Sequence, residues 1–254
     1  MLKIDLTSKT AVITGATGQL GRVMVRTLAG CGADIAVHYL KNKDAAERLA
    51  QEVRAAGRRC ITVQADVTHP DSVKQMQNSI NQELGPAHII VNNAIIQYNC
   101  TTILNQDPGD YESQFRSCVM QNVLMAKAFV PGMIDGGWGR VIGINTECAL
   151  LCPTNQSAYV SGKRGMDGVL RTLAKEVGEY GITVNQVAPG WTVSDRDREN
   201  GTESRPEYEA SIPLRRRGTD QEIANVAAFL ASDLASYITG AIIPVCGGHA
   251  STGI

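Results

Sequence analysis

Near its start the chain passes from a short apolar stretch, Thr10-Ala-Val-Ile-Thr14, into the turn Gly15-Ala-Thr-Gly18-Gln-Leu-Gly21 and then into a segment of helical period. The apolar stretch is rich in β-branched residues and reads as a buried strand. Leu20, Val23, Met24 and Leu28 recur on one face, which predicts a helix over residues 20–30. A strand, a glycine turn and a helix in that order leave few folds open. The glycines allow a tight turn and a close approach by a pyrophosphate. The helix start offers unpaired N–H groups and the positive end of a dipole. Gly15, Thr17, Gly18, Leu20 and Gly21 are therefore candidate phosphate-loop residues, with an ordinary glycine-rich turn as the competing reading.

The pattern then repeats along the chain. Strands are predicted over 33–37, 59–63, 87–91, 139–144, 182–187 and 241–245. Helices are predicted over 43–56, 70–83, 111–134, from Tyr159's segment to about 179, and over 220–231. Strands alternating with helices predict an α/β, Rossmann-type doubly wound parallel sheet with helices on both faces. No linker or internal repeat divides residues 1–254, so a single domain is expected. Residues 195–217 are polar and too long for an ordinary connection, which reads as a substrate lid or a mobile loop.

Composition narrows the function classes. With 43% hydrophobic residues there is ample material for a core, and a net charge of -1 gives no reason to expect a nucleic-acid or anionic-membrane partner. No long apolar run predicts a membrane span, and the N-terminus lacks a signal-peptide core. Seven scattered cysteines without a Cys-x-x-Cys pair suit reduced thiols in the cytoplasm. His38, His69, His88 and His249 lack metal-ligand spacing, so no metal is expected.

Tyr159 and Lys163 stand four residues apart, one turn along one face of a helix. A phenol titrating near ~10 is a poor acid–base group at neutral pH, and a neighbouring ammonium favours its ionised form. Thr146, just upstream, offers a hydroxyl that can share a substrate oxygen with the phenol.

With these elements placed, the chain resembles the short-chain dehydrogenase/reductase family over essentially its whole length. The resemblance rests on the glycine turn, Asp66, Asn92-Asn93-Ala94, Asn122, Thr146, Tyr159-x-x-x-Lys163, Pro189-Gly190 and Thr239-Gly240, all in the family's order. It implies an NAD(P)-dependent enzyme that interconverts a ketone and a secondary alcohol. Tyr159 would be its general acid and base. Lys163 would tune the phenol and hold the nicotinamide ribose, Thr146 would polarise the carbonyl, and Asn122 would support a proton relay. Asp66 and Val67 would meet adenine, Asn93 and Ala94 the adenosine ribose side, and Pro189, Gly190, Thr192 and Ser194 the nicotinamide. Asp66 as a turn cap and Asn122 as a satisfied core amide are the structural alternatives. The resemblance also suggests a homotetramer.

The departures carry information. Gln19 and Gly18 change the usual glycine spacing, and Gly18 removes a basic residue found in some NADP-dependent relatives. Ile95 replaces a glycine and is expected to crowd the cofactor cleft. Tyr39 stands where an NAD-preferring site places a carboxylate, and Lys41, Lys43 and His38 lie close by. These features predict NADP as the preferred cofactor, with NAD possible. A small polar carbonyl or polyol-type substrate is favoured, with a 3-oxoacyl-carrier-protein reductase and a catalytically silent nucleotide-binding regulator as alternatives. A basic docking patch for a carrier protein would have to draw on Arg140. Arg196, Arg198 and Arg205 read as a solvated face more readily than as carboxylate ligands.

Overall fold

All seven apolar runs become strands of one sheet. In the computed structural model, which describes residues 3–250, these are β1 (Thr10–Ile13), β2 (Asp34–Tyr39), β3 (Cys60–Gln64), β4 (Ile89–Asn92), β5 (Gly139–Ile144), β6 (Ile182–Pro189) and β7 (Ile242–Val245). They pair in parallel in the order β3-β2-β1-β4-β5-β6-β7. The helices are α1 (Gln19–Gly30), α2 (Lys43–Ala55), α3 (Pro70–Glu83), α4 (Pro108–Gln114), α5 (Gln121–Gly136), α6 (Cys148–Leu151), α7 (Ser157–Val177), α8 (Asp195–Asn200), α9 (Pro206–Ser211) and α10 (Asp220–Ala231).

Period two along each strand sorts side chains between two cores. Ala11, Ile13, Ile89, Val91, Ile142, Ile144 and Val187 face one, packed by Met24 and Leu28 of α1, Leu49 of α2 and Ile223 of α10. Val12, Ile90, Val141, Ile182 and Val184 face the other, packed by Met76 of α3, Phe129 of α5 and Leu170 of α7. Burial of each large side chain contributes about 1.5–3 kcal/mol. Both faces are covered, so the interior strands are buried along their length, and the polar residues they carry, such as His38, Arg140 and Gln186, are buried with them. The chain moves outward through β2 and β3, then returns to the far side of β1 with β4. The crevice at the carboxyl ends of β1 and β4 is the switch point where such sheets bind ligands.

Two features depart from the sequence reading. The helix expected over 111–134 begins at Pro108 and contains a π-helical turn, Phe115–Met120, before α5. This run, Pro108–Gly136, is long and apolar enough by length and composition to cross a membrane, although no such segment is apparent in the sequence. Its most apolar window averages a hydropathy of 1.2, and half of that window is buried within the fold. Buried Gln114, Ser117, Gln121 and Asn122 lie along it. The second departure is the stretch 195–217, which holds the two short helices α8 and α9.

α7 is set down very close to its neighbours. A Cβ at Gly143 would sit 2.4 Å from Leu170 Cδ1, and one at Gly162 3.0 Å from the carbonyl oxygen of Gln114. These two glycines bring α7 against β5 and α4, and with it the Tyr159 and Lys163 side chains.

Candidate active site

Tyr159 lies in the first turn of α7, and Thr146 just past the end of β5. The Tyr98 hydroxyl accepts the Tyr159 backbone N–H at 2.9 Å and so secures the start of the helix. Thr146 is buried, and Asn145 Oδ1 accepts its N–H at 2.9 Å. Lys163 is buried and donates to the Ile144 carbonyl at 2.6 Å, with its Nζ 5.8 Å from the centre of the Tyr159 ring. Thr146, Tyr159 and Lys163 therefore converge at the end of β5.

Their protonation differs from the simple expectation. Burial raises the pKa of the Tyr159 phenol, with a hydrogen bond from Thr146 acting in the opposite sense. Burial lowers that of Lys163. Desolvation pushes each group towards its neutral form and outweighs the mutual stabilisation inferred from their spacing. Asn122 is held by two polar partners. Its Oδ1 accepts from Asn92 Nδ2 at 2.7 Å and its Nδ2 donates to the Cys118 carbonyl at 2.6 Å. The side chain is a satisfied core amide at the end of the π turn.

The glycine loop has the shape a pyrophosphate needs. Gly15 has φ +61°, and a Cβ there would lie 2.9 Å from Ala94 Cα. A Cβ at Gly21 would lie 2.2 Å from the Gly15 carbonyl oxygen. Gly18 brings no side chain to cap α1, and Arg22 is the first residue whose N–H bonds back, to the Gly18 carbonyl at 3.0 Å. The N–H groups of the first turn thus face outward from a positive helix end. Thr17 and Leu20 flank this turn, the Leu20 side chain packing on the core. Asn93 braces the loop by donating to the carbonyls of Thr14 and Gly15 at 3.0 and 3.2 Å, while Ala94 N–H donates to the Thr14 hydroxyl at 3.0 Å. An anionic dinucleotide suits this cradle.

Several expectations are corrected around it. His38 is buried, accepting the Gly15 N–H through Nδ1 and donating through Nε2 to the Ala65 carbonyl, each at 2.9 Å. Burial lowers its pKa, so it is a neutral strut and not a phosphate ligand. The Tyr39 side chain is 6% exposed and turns into the core instead of lining the cleft. The Val67 side chain is core as well. Asp66 Oδ1 accepts the amide and hydroxyl of Thr68 at 2.9 and 2.7 Å, the turn-capping role. Burial works to raise its pKa, but the Thr68 hydrogen bonds prevail and lower it. Ile95 packs on the second core instead of crowding the cleft.

Similarity to known proteins agrees with this geometry. The family model described as enoyl-(acyl carrier protein) reductase matches residues 15–250. The chain is 34% identical over 241 residues to the 3-oxoacyl-(acyl-carrier-protein) reductase FabG of Staphylococcus epidermidis, covering 95% of this chain and 98% of that protein. The chain is a short-chain dehydrogenase/reductase. Among solved structures, a gluconate 5-dehydrogenase from Burkholderia cenocepacia in complex with NADP and tartrate superposes with TM-score 0.89 at 25% identity, covering 97% of each chain. A blue fluorescent protein from a metagenomic library in complex with NADPH superposes with TM-score 0.88 at 33% identity, covering 97% of this chain and 100% of that one. This short-chain dehydrogenase/reductase is an NAD(P)-dependent oxidoreductase acting between a ketone and a secondary alcohol.

A cleft of about 460 Å³ opens beside Tyr159 and Thr146, walled by Glu147, Trp191, Tyr208 and His249. Gly190 and Thr192 also line it, just beyond Pro189 at the end of β6. Ser194 is the N-cap of α8, its hydroxyl exchanging hydrogen bonds with Asp197. The strap 195–217 is tied at both ends. Asp195 pairs with Arg22 of α1, and Gln19 donates to the Val193 carbonyl at 2.6 Å. Arg198 forms a two-pronged pair with Asp220, and Asp197 holds Arg205 and the buried Arg217. Arg198 and Arg205 are thus tied into an ion network, and Arg198, like Arg196, is still exposed, as a solvated face requires.

Two further polar groups border the site. Asn145 Nδ2 donates to Gln186 Oε1 and Gln186 Nε2 to Asp167 Oδ1, both at 2.7 Å, a buried polar ladder that joins β5, β6 and α7. Glu147 is bonded by Tyr208 and His249. Only adjacency to Thr146 marks Asn145 in the sequence, whereas Glu147, with Trp191, is expected to flank the site, with packing alone as the competing reading. Among the described residues no cluster of His, Cys, Asp or Glu could hold a metal ion.

Proposed function

We propose that this enzyme prefers NADP and reduces a small polar ketone, or oxidises the matching alcohol, with Tyr159 exchanging the proton. The observation that carries the reading is the position of Tyr159 and Thr146 on a cleft of about 460 Å³ also lined by Trp191 and the strap residue Tyr208. Such a volume suits a small substrate. Thr146 and Tyr159 hydrogen-bond the substrate oxygen, and Tyr159 gives or takes its proton. Lys163 holds the nicotinamide ribose and Asn122 fixes the helix turn beside it. Gly15, Thr17, Gly18, Leu20 and Gly21 hold the pyrophosphate through backbone N–H groups. Asp66 and the Val67 backbone border adenine, Asn93 and Ala94 the ribose side, and Pro189, Gly190, Thr192 and Ser194 the carboxamide. The bound nicotinamide supplies or accepts the hydride.

The NADP preference rests on charge at the end of β2. No carboxylate stands there to repel a 2′-phosphate, and exposed Lys41 and Lys43 follow Tyr39. The seven free thiols support a reducing, cytoplasmic setting. Exposed Phe115 and Tyr237 support further subunits, with a homotetramer as the proposed assembly.

A second reading, reduction of a 3-oxoacyl thioester on a carrier protein, is favoured by the identity to the staphylococcal reductase. Against it, Arg140 is buried and bonded to carbonyls of Gly139 and Gly181 and to Asp233, so it offers no basic docking surface. NADPH consumption with small ketones and with an acetoacetyl thioester decides between them. Higher kcat/KM on small ketones is expected. A thioester turned over at least tenfold better would replace this reading with the second.

A further inference from the structure

Glu147 is an unusual wall for a cleft that receives a carbonyl compound. It follows Thr146 directly, its side chain is 5% exposed, and it lines the same cleft as Tyr159. A carboxylate in that position is costly to bury unless its oxygens are hydrogen-bonded. Two residues from distant parts of the chain meet that need. The Tyr208 hydroxyl of the strap donates to Oε1 at 2.6 Å, and His249 Nδ1 lies 3.1 Å from Oε2. Tyr208 itself accepts the Trp191 N–H at 2.8 Å, and its ring meets those of Trp191 and His249 edge to face at 5.5 and 5.1 Å. The carboxylate is thus fixed by two residues from separate parts of the chain, beside the reacting position.

Two oxygens of an ionised carboxylate have about four acceptor positions, and Tyr208 and His249 occupy one on each oxygen. Glu147 lines the cleft, where an apolar acyl chain would leave its remaining positions without partners. A substrate hydroxyl donates to them directly, and a site built to bond a hydroxyl discriminates strongly against the analogue that lacks it. A second carboxylate or a phosphate on the substrate would be repelled.

We propose that Glu147, held by Tyr208 and His249, is a specificity-determining acceptor that selects substrates with a hydroxyl close to the reacting carbon, that is, α-hydroxy ketones and the corresponding vicinal diols. The proposal rests on the small-ketone reading above and names its substrate class. Thr146 and Tyr159 take the oxygen at the reacting carbon, and Glu147 takes the proton-donating side of the neighbouring hydroxyl. Tyr208 links this contact to the strap, since the same phenol secures the backbone at Trp191.

The test compares 3-hydroxybutan-2-one with butan-2-one, which differ by one hydroxyl, with NADPH as the reductant. The parent enzyme is expected to favour the hydroxy ketone in kcat/KM by at least tenfold. Glu147→Leu is expected to bring that ratio to within about twofold of one, and Glu147→Gln, which keeps the shape, to leave it in between. Tyr208→Phe removes the phenol but leaves the carboxylate, and is expected to keep the ratio above fivefold. An unchanged ratio in Glu147→Gln and Glu147→Leu overturns the proposal. So does a collapse in Tyr208→Phe equal to that of Glu147→Leu, because Glu147 would then serve only to hold the strap. If Glu147→Leu does not fold, the ratio in Glu147→Gln decides alone. A parent that turns over both ketones equally sinks this proposal and leaves the small-ketone reading standing; a parent that reduces neither, while reducing an acetoacetyl thioester, fails the reading itself.

Discussion

At the scale of single residues, burial works against charge on the groups that carry the site. Lys163 is 4% exposed and has one hydrogen bond, to a backbone carbonyl. Its pKa is lowered by burial, so between that value and the ordinary ~10.4 of a free lysine the unfolded chain carries more protons than the native one. The stability of the cofactor-free protein should therefore rise with pH across that window. Lys163→Met removes the buried ammonium and should flatten the rise. It should also raise the cofactor-free melting temperature at neutral pH by about 2–4 °C, the shift ~1 kcal/mol gives a domain of this size. Turnover should fall steeply in the same variant. Thermal melts from pH 6 to 10 check this; a variant that melts lower than its parent at every pH would show Lys163 to be stabilising. The phenol of Tyr159 has the opposite sign, since its pKa is raised. Its contribution is fully present below ~10 and is lost as pH rises above that, where the unfolded phenol ionises and the buried native one does not, until the folded phenol ionises too.

At the scale of elements, the strap is the least legible part of the sequence. Its α8 and α9 are six residues each, too short for an apolar period to announce them, and their charged residues suggest a solvated coil. What orders them is tertiary: Asp197 accepts from Ser194, Arg205 and Arg217, and Arg217 reaches the carbonyls of Trp191, Thr192 and Glu203. Asp197→Ala strands the buried Arg217 guanidinium and removes the start of α8. Amide exchange over residues 191–217 should then quicken by at least tenfold, while β1 and β4 keep their protection. Equal exchange in parent and variant would show that the ion network does not hold the strap. By contrast, the strands were plain from β-branched runs, and all seven appear within about two residues of their expected bounds. The π turn at Phe115–Met120 had no such signal, because its sequence carries the same apolar pattern as an α-helix. Burial likewise hid the true places of His38, Tyr39 and Asn122: the sequence puts them near the cleft, and only the packing turns their side chains inward.

At the scale of the whole molecule, one parallel sheet gathers groups from across the chain at its carboxyl edge: the glycine loop after β1, Asn93 after β4, Thr146 after β5 and Gly190 after β6. That placement was legible from strand ends and motif order. The proposed NADP preference places cofactor choice at the far end of the same edge. Lys41 and Lys43 are exposed, so each contributes at most about 1 kcal/mol towards a 2′-phosphate. The double variant Lys41→Ala, Lys43→Ala should lower the NADPH-to-NADH ratio of kcat/KM by about three- to tenfold, and an unchanged ratio would place the preference elsewhere. The proton remains the core of the account. Pre-steady-state reduction of a small ketone by Tyr159→Phe, with NADPH affinity measured by fluorescence, tests it most directly. The hydride-transfer rate should fall by about 10²–10⁴-fold with NADPH affinity within about threefold of the parent; a rate within tenfold of the parent would contradict the assignment of Tyr159 as the proton donor.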